Sequence, residues 1–382
     1  MIRNKAPMAG LRASSQKLLT RVGAVAAMGA LLLTTACAAQ TGAAPAVTAA
    51  GTAKPASLTI AVPFAAGAPG GMPLWLGEKL GYFKEENLTV KFVNFPGKPA
   101  EAVGLVVAGQ ADLTITAPDT IIVPTAKGDN QGLKWIFTPY QRPSFAIAVP
   151  EDSAIKSAKD LAGKNVGMPS QGPPFETFMG ANIKADGGDA AGTKVTVLPV
   201  SPAMEALRKG DVGAYIANRA ELKLAAELTG TKVRVLDMPG TVEKGLAAGV
   251  MMRGDSTADQ RDAYTRFLRA FLKSGIFAQE NPEAAVKLNW ELYPASKPSD
   301  QSDEAAMTTA KIILDTTVDE YRPTADGKWG YIAPERWTAY IAGLGLGGKI
   351  ADESVLYDNS LLEKVSDFDQ DAVRETARKY TS

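Results

Sequence analysis

Short apolar segments alternate with helical segments through about half of the sequence, and this alternation restricts the chain to few folds. In residues 58–64, LTIAVPF, every second residue is apolar, which is the period of a strand with one buried face. A turn rich in glycine and proline follows, and the apolar residues of 72–83 then recur at spacings of three and four, as on one face of a helix. Strands that alternate with helices predict an α/β fold with parallel sheets.

The same alternation continues to residue 236, and a helical region follows it. The further predicted strands span residues 88–95, 112–116, 133–140, 144–149, 166–168, 194–200, 212–216, 232–236 and 247–252. The helices predicted between them span residues 99–109, 120–126, 175–185, 203–209 and 221–228. From residue 257 onward the pattern is mostly helical.

The order of these elements predicts two lobes joined by two crossings. The strand at 144–149 ends the first alternation, which then restarts, and the strand at 247–252 marks a return. Residues 99–119 and 202–221 each consist of a helix opening with Pro-Ala, a glycine turn, a strand and a polar loop, as two similar lobes would contain. The predicted boundaries are 57–145 and 250–382 for the first lobe and 146–249 for the second.

The first 36 residues have the pattern of a secretory signal. They carry five basic residues and no acidic one, and an apolar run of small residues occupies positions 22–33. That run is shorter than the roughly 20 apolar residues that span a bilayer. A membrane anchor helix and a disordered tail are the alternatives. Residues 37–56 are small and polar without periodicity, which predicts a flexible tether.

Composition excludes several classes of function. The chain has 41 basic and 41 acidic residues, and without the five basic residues of the signal 36 basic residues remain. A mildly acidic protein is a poor match for nucleic acid. The sequence contains no histidine and one cysteine, Cys37. We therefore expect no metal centre built on those residues, no cofactor, and no histidine-based hydrolase.

The position of Cys37 suggests a lipid anchor. Residues 33–37, LTTAC, resemble a bacterial lipobox, in which the cysteine becomes the N-terminus and its sulfur carries lipid. Thr34 departs from the larger aliphatic residue that is usual there. The resemblance implies a protein outside the cytoplasm, held at the bacterial cell membrane through Cys37.

Four further segments resemble one family, the substrate-binding proteins of ABC importers for nitrate, sulfonate, taurine and thiamine-pyrimidine precursors. The segments are residues 74–88 (LWLGEKLGYFKEENL), 109–113 (GQADL), 159–167 (KDLAGKNVG) and 329–337 (WGYIAPERW). They occur in the family's order over nearly the whole chain after residue 57. Asn87 stands where the family usually has glycine, and asparagine tolerates a left-handed turn.

The resemblance implies a type II periplasmic-binding fold, in which two α/β lobes close on a small molecule. It further implies delivery of that molecule to an ABC permease with ATPase subunits by a monomeric, non-enzymatic protein. The ligand class stays open between a sulfonate, a pyrimidine precursor and similar small molecules. A ligand-sensing surface protein of the same fold and a carboxylate-dependent hydrolase are the alternatives.

In the first lobe, loops that follow strands supply the candidate ligand contacts, because open α/β sheets bind ligands at the carboxyl ends of their strands. Glycines before a helix expose backbone N–H groups to a ligand, although a tight turn also needs them. Asp119 and Thr120 suit either a helix cap or a ligand contact. The candidates are Gly67, Gly70, Gly71, Met72, Pro118, Asp119, Thr120 and, beside the first crossing, Gln141.

In the second lobe, two loops supply the candidates. Residues 170–177 open a helix where the family places ligand-binding residues. Residues 218–219 replace the aromatic-Glu-Pro sequence of many relatives. Arg219 can pair bidentately with a sulfonate, carboxylate or phosphate, and a solvated surface arginine is the alternative. The candidates are Ser170, Gln171, Gly172, Phe175, Asn218 and Arg219.

Overall fold

The computed structural model describes residues 53–141, 144–170, 175–236 and 246–381. The predicted signal, Cys37 and the tether up to residue 52 lie outside the described residues, as do Gln171 and Gly172. The described part of the chain contains no helix with both the length and the apolar character needed to cross a membrane.

Ten strands form the framework of the described residues, and each predicted strand has a counterpart among them. They are β1 Ala56–Val62, β2 Leu88–Asn94, β3 Leu113–Thr116, β4 Leu133–Phe137, β5 Phe145–Pro150, β6 Asn165–Met168, β7 Lys194–Val197, β8 Ala214–Asn218, β9 Val233–Val235 and β10 Gly249–Arg253.

The described residues also form 13 α-helices and four short 3₁₀ helices. The α-helices are α1 Met72–Lys79, α2 Tyr82–Glu85, α3 Pro99–Val107, α4 Asp119–Ala126, α5 Phe175–Ala185, α6 Val200–Lys209, α7 Arg219–Thr229, α8 Ala258–Glu280, α9 Pro282–Leu292, α10 Asp303–Val318, α11 Pro334–Gly343, α12 Leu362–Val365 and α13 Gln370–Lys379. The 3₁₀ helices are Pro69–Gly71, Ala158–Leu161, Pro294–Ser296 and Glu353–Leu356.

The strands form two five-stranded sheets, with the orders β2-β1-β3-β10-β4 and β7-β6-β8-β5-β9. We call each sheet with the helices packed on it a lobe. The sheets are mixed, whereas the alternation of strands and helices alone predicts purely parallel sheets. β10 runs antiparallel between β3 and β4, and β5 runs antiparallel between β8 and β9. These two strands follow the crossings, which reverse the direction of the chain.

Alternation along the strands gives each sheet two apolar faces. In β1, Leu58, Ile60 and Val62 pack toward α8, whereas Ala61 packs toward α3 on the opposite face. In the second sheet, Ile216 of β8 and its neighbours pack toward α5, and the other face packs against α6 and α7. Both sheets are therefore covered on both faces, as the fold class requires.

Several boundaries differ from the sequence predictions; for example, the strand predicted at 194–200 ends at Val197, and α6 begins at Val200. The helix predicted through residue 83 is divided into α1 and α2 at Gly81, whose φ of 79° ends the first helix. The strand predicted through residue 140 ends at Phe137, because Thr138 and Tyr140 form bridges to Gly330 and Tyr321 instead. Asn87 adopts a φ of 52°, which confirms the left-handed turn expected there.

Candidate ligand-binding site

A cavity of about 300 Å³ lies where the two lobes meet. The first lobe contributes Phe64 just beyond β1, residues of the Pro69–Gly71 turn, and Tyr140. The second lobe contributes Asn218 at the end of β8 and Arg219 at the start of α7. Loops after strands thus meet at one crevice, as expected for ligand sites of α/β sheets.

The glycine turn of the first lobe is shaped by close packing. A Cβ on Gly71 would lie 2.6 Å from the Phe64 ring and 2.4 Å from the Trp75 ring, so this position admits only glycine without a shift of the rings. Gly70 and Gly71 both line the cavity. Gly67 has a φ of +75° and packs against Ser296 instead.

The side chain of Asn289 fixes this turn through hydrogen bonds. Its Nδ2 donates a hydrogen bond to the Gly67 carbonyl at 2.9 Å, and its Oδ1 accepts one from Trp75 Nε1 at 2.6 Å. Asn289 is fully buried, so these bonds lie in a region of low dielectric. The side chain of Met72, a predicted contact, is fully buried among the apolar residues of α1, α8 and α9 rather than lining the cavity.

The second lobe presents Asn218 and Arg219 at the start of a helix. Asn218 is the N-cap of α7, and its Oδ1 accepts a hydrogen bond from Ala220 N at 2.9 Å. The Arg219 N–H donates to the Ser144 carbonyl at 2.9 Å. The cap and this backbone bond fix the position from which the Arg219 side chain leaves the helix.

Arg219 forms an ion pair across the two lobes. Its Nε lies 3.8 Å from Oε1 of Glu320, which follows the end of α10. The Arg219 side chain is 17% exposed and that of Glu320 is 8% exposed, so the pair is poorly screened by solvent. Arg219 is therefore not the solvated surface arginine of the alternative prediction.

Helix α10 also contributes to the cavity, which the sequence did not predict. Thr316, Thr317 and Glu320 all line the cavity, whereas the sequence predicted only a mostly helical region from residue 257 onward. Each threonine hydroxyl donates to a carbonyl one turn back, Thr316 to Ile312 at 2.7 Å and Thr317 to Ile313 at 2.8 Å. Only the pairing of distant segments brings them to the cleft, and no local motif marks them.

Tyr140 joins the first crossing to the returning chain. Its ring meets that of Tyr321 at 85° with centroids 5.1 Å apart. Burial raises the pKa of Tyr140 and raises that of Tyr321 well above the ordinary value of 10.0. Both phenols therefore stay protonated near neutral pH.

Besides Gly67 and Met72, four predicted residues of the first lobe lie outside the lining of this cavity. Asp119 accepts a 2.7 Å hydrogen bond from the Tyr340 hydroxyl, and Thr120 donates to the Ala117 carbonyl. Pro118, the N-cap of α4, is also absent from the lining. Burial raises the pKa of Asp119 above its ordinary value of 3.8.

The fourth, Gln141, has both ends of its amide engaged in hydrogen bonds. The amide nitrogen Nε2 of Gln141 donates a hydrogen bond to the Tyr331 carbonyl at 3.3 Å. Its Oε1 accepts from Arg336 at 2.8 Å. Gln141 therefore ties the first crossing to the returning chain beside α11.

The remaining described candidates of the second lobe do not line the cavity either. Ser170 is exposed after β6. Phe175 packs its ring on Phe145 with centroids 4.9 Å apart. The structure therefore brings together Gly70, Gly71, Asn218 and Arg219 among the predicted residues, and it adds Thr316, Thr317 and Glu320.

Solved structures with this fold include several binding proteins. The sulfonate-binding protein SsuA of Methylobacillus flagellatus KT, described as putative, superposes with a TM-score of 0.55 at 18% identity, covering 82% of this chain and 94% of that one. The aliphatic sulphonate-binding protein SsuA of Escherichia coli gives 0.51 at 18% identity, covering 74% and 89%. The nitrate-binding protein NrtA of Synechocystis PCC 6803 gives 0.50 at 11% identity, covering 86% and 99%.

The chain thus has the two-lobed α/β fold of periplasmic binding proteins. Curated protein sequences contain no significant match to it. Residues 68–285 match the family described as NMT1/THI5 like, and this match covers more than half of the 382 residues. It includes the glycine turn, both crossings and the start of α7. The chain belongs to the NMT1/THI5-like family.

Proposed function

We propose that this protein is a solute-binding protein that captures a small molecule between its lobes and delivers it to an ABC importer. The observation that carries this proposal is the cavity of about 300 Å³, to which both lobes contribute polar groups. A ligand that touches both lobes favours their closed arrangement over an open one. The sulfonate- and nitrate-binding names of the similar structures support the same role.

The lobes move as units in this proposal. We place the first lobe at residues 57–145 and 250–382 and the second at 146–249, boundaries that fall one residue after the starts of β5 and β10. Hinges of a few residues at such crossings are enough for two lobes to close around a ligand. The permease and its ATPase subunits then recognise the closed form.

Binding without catalysis fits the residues of the cleft. Among the described lining residues, Glu320 is the one carboxylate, and it is paired with Arg219 rather than with a second acid. Hydrolysis by carboxylates uses two acids in different protonation states. We therefore propose transport, with no chemical change to the ligand.

We propose the place of the protein from its N-terminal sequence. Exported lipoproteins typically begin with basic and then apolar residues, as residues 1–36 do, and with a sequence like LTTAC at residues 33–37. In this proposal, lipid on Cys37 holds the protein outside the cytoplasm, and residues 38–56 tether it near a permease.

A thermal-shift panel tests the proposed binding function. The full-length protein is heated with alkanesulfonates, 2-aminoethanesulfonate, nitrate, pyrimidine precursors and aromatic carboxylates. A true ligand at 100 times its Kd adds about 2.7 kcal/mol to the free energy of unfolding. We expect at least one compound to raise Tm clearly and to lose that effect in Arg219→Ala.

The matched control is Arg208→Ala, because Arg208 is an exposed arginine that pairs with Glu205 within α6, away from the cavity. It should retain the response of the wild-type protein. A folded wild-type protein that responds to no compound would contradict the proposed function.

A further inference from the structure

The cleft contains one positive and one negative side chain among its described lining residues. They are Arg219 and Glu320, which face each other from the two lobes at 3.8 Å. A ligand that carries only negative charge would place a second negative group beside the buried Glu320 carboxylate, and like charges at a poorly solvated site repel strongly. A purely cationic ligand meets the same difficulty at Arg219. The charges of these described residues therefore disfavour both.

The wall formed by α10 accepts hydrogen bonds. The hydroxyl protons of Thr316 and Thr317 are committed to helix carbonyls, so each oxygen has acceptor capacity left for the cavity. Glu320 adds a carboxylate to the same wall. The C-terminal end of α10, at Val318, also carries the partial negative charge of a helix terminus. This side of the cleft suits a cationic nitrogen.

The opposite wall donates hydrogen bonds. The Asn218 Oδ1 is used by the helix cap, which leaves its amide NH₂ as the group to offer. Arg219 adds a guanidinium with its fixed fork of donors. Because α7 begins at Arg219, the positive end of that helix faces the same place. This side of the cleft suits an anionic or strongly accepting group.

We infer that the ligand is a small zwitterion, held with its cationic nitrogen toward Glu320 and Thr317 and its anionic group toward Arg219 and Asn218. This inference rests on the proposed function and names its ligand class. Glu320 is then the specificity-determining residue that rejects simple anions of the same size. A cavity of about 300 Å³ lies at the lower end of the size range for ligand pockets, which suits a molecule of amino-acid size.

Calorimetric titration of the full-length protein with matched pairs of probes tests this inference. The pairs are 2-aminoethanesulfonate against ethanesulfonate and 3-aminopropanoate against propanoate, which differ only in the amine. We expect the wild-type protein to bind at least one zwitterion at least tenfold more tightly than the matched probe that lacks the amine. Glu320→Gln should reduce that ratio at least tenfold, mainly by weakening the zwitterion.

Two further variants make the result specific. Asp319→Asn removes the same charge from the residue that precedes Glu320. The Asp319 side chain is 70% exposed and lies outside the cavity lining, so the ratio of the two affinities should not change. Thr317→Val keeps Glu320 and removes one acceptor, so it should lower the ratio by a smaller factor. If circular dichroism shows that Glu320→Gln does not fold, Thr317→Val still tests the inference.

The possible failures are distinct. If ethanesulfonate and propanoate bind the wild-type protein as tightly as their amino counterparts, the inference is overturned and the proposed function stands. If the preference exists but is unchanged in Glu320→Gln and Thr317→Val, the assigned role of the α10 wall is wrong. If no probe binds the folded wild-type protein, the result counts against both the inference and the proposed function.

Discussion

Gly71 combines a structural constraint with a position in the cleft wall. A Cβ at this residue would lie 2.6 Å or less from two aromatic rings, those of Phe64 and Trp75. Trp75 belongs to the core of the first lobe and Phe64 packs against that core, so a shift of either ring disturbs its neighbours. The glycine therefore lets the turn approach the aromatic residues while its backbone reaches the cavity.

We expect Gly71→Ala to lower the free energy of unfolding by about 1–3 kcal/mol, because overpacking forces side chains and backbone to shift. Urea unfolding measures the change. Gly104→Ala is the control, since Gly104 lies within α3 with open space where a Cβ would stand. The control should be neutral or slightly stabilising. Equal stability of the two variants would contradict the packing argument.

Asp119 is predicted to make stability depend on pH. Burial raises its pKa in the folded protein above the ordinary value of 3.8. A raised folded pKa means that the folded state binds the proton more tightly than the unfolded state. The contribution to stability is thus full below pH 3.8 and is lost as pH rises through the folded pKa.

Asp119→Asn should remove that loss, so its stability relative to the wild-type protein should increase as pH rises across this window. Asp160→Asn is the control of opposite sign. Backbone N–H groups of Lys156 and Ser157 lower the pKa of Asp160, so the wild-type protein gains stability from it as pH rises. Unfolding midpoints measured from pH 3 to 7 compare the three proteins, and parallel curves would contradict the prediction.

At the scale of elements, ion pairs differ in what they hold together. Glu280 at the end of α8 bonds to Arg374 and Arg378 of α13, at 2.8 and 2.9 Å. Burial pushes the pKa of Glu280 upward, but the two arginines outweigh it and the pKa falls below the ordinary value. This carboxylate connects the C-terminal helix to the longest helix of the first lobe.

We expect Glu280→Ala to cost about 1–3 kcal/mol of stability, because a largely buried carboxylate with two charge-assisted hydrogen bonds is removed. Glu375→Ala is the control. Its carboxylate pairs with Lys379 on the exposed side of α13, and such surface pairs contribute little to stability. Thermal unfolding of both variants measures the difference. A Glu375→Ala protein that is less stable than Glu280→Ala would contradict the assignment.

The elements themselves could be predicted from the sequence, since period two and periods three to four are local signals. The partners of most cleft residues could not. Glu320 meets Arg219 across 101 positions, and Asn289 meets Gly67 across 222, so their contacts depend on how the lobes pack. For the same reason the sequence did not predict that distant tyrosine and arginine partners engage Asp119 and Gln141, which lie outside the cavity lining.

For the whole molecule, the Arg219–Glu320 pair is a bridge between the lobes. Its loss should shift the population toward a more open arrangement. If the bridge contributes about 1–2 kcal/mol, its removal changes the closed-to-open ratio roughly 5- to 30-fold. The ligand would then act on an equilibrium that this pair already biases.

Distances between spin labels measure that shift. Labels on Lys98→Cys and Lys164→Cys, both exposed and on different lobes, are introduced after Cys37 is replaced by serine. Arg219→Ala should move the distance distribution to longer values without ligand, whereas Arg208→Ala should not. An unchanged distribution in Arg219→Ala would show that other contacts, such as those of α7 with α10, hold the lobes.

The place of β10 in the first sheet has a consequence for the order of folding. The five strands of the second sheet are consecutive in the chain, from β5 to β9, so that sheet can assemble as soon as residue 235 is available. The first sheet cannot, because β10 lies between β3 and β4 and is the last strand to be synthesised. Loop closure over such a distance is slow. During synthesis the second lobe can therefore fold first. β3 and β4 keep unpaired edges until β10, residues 249–253, is available to pair with both of them.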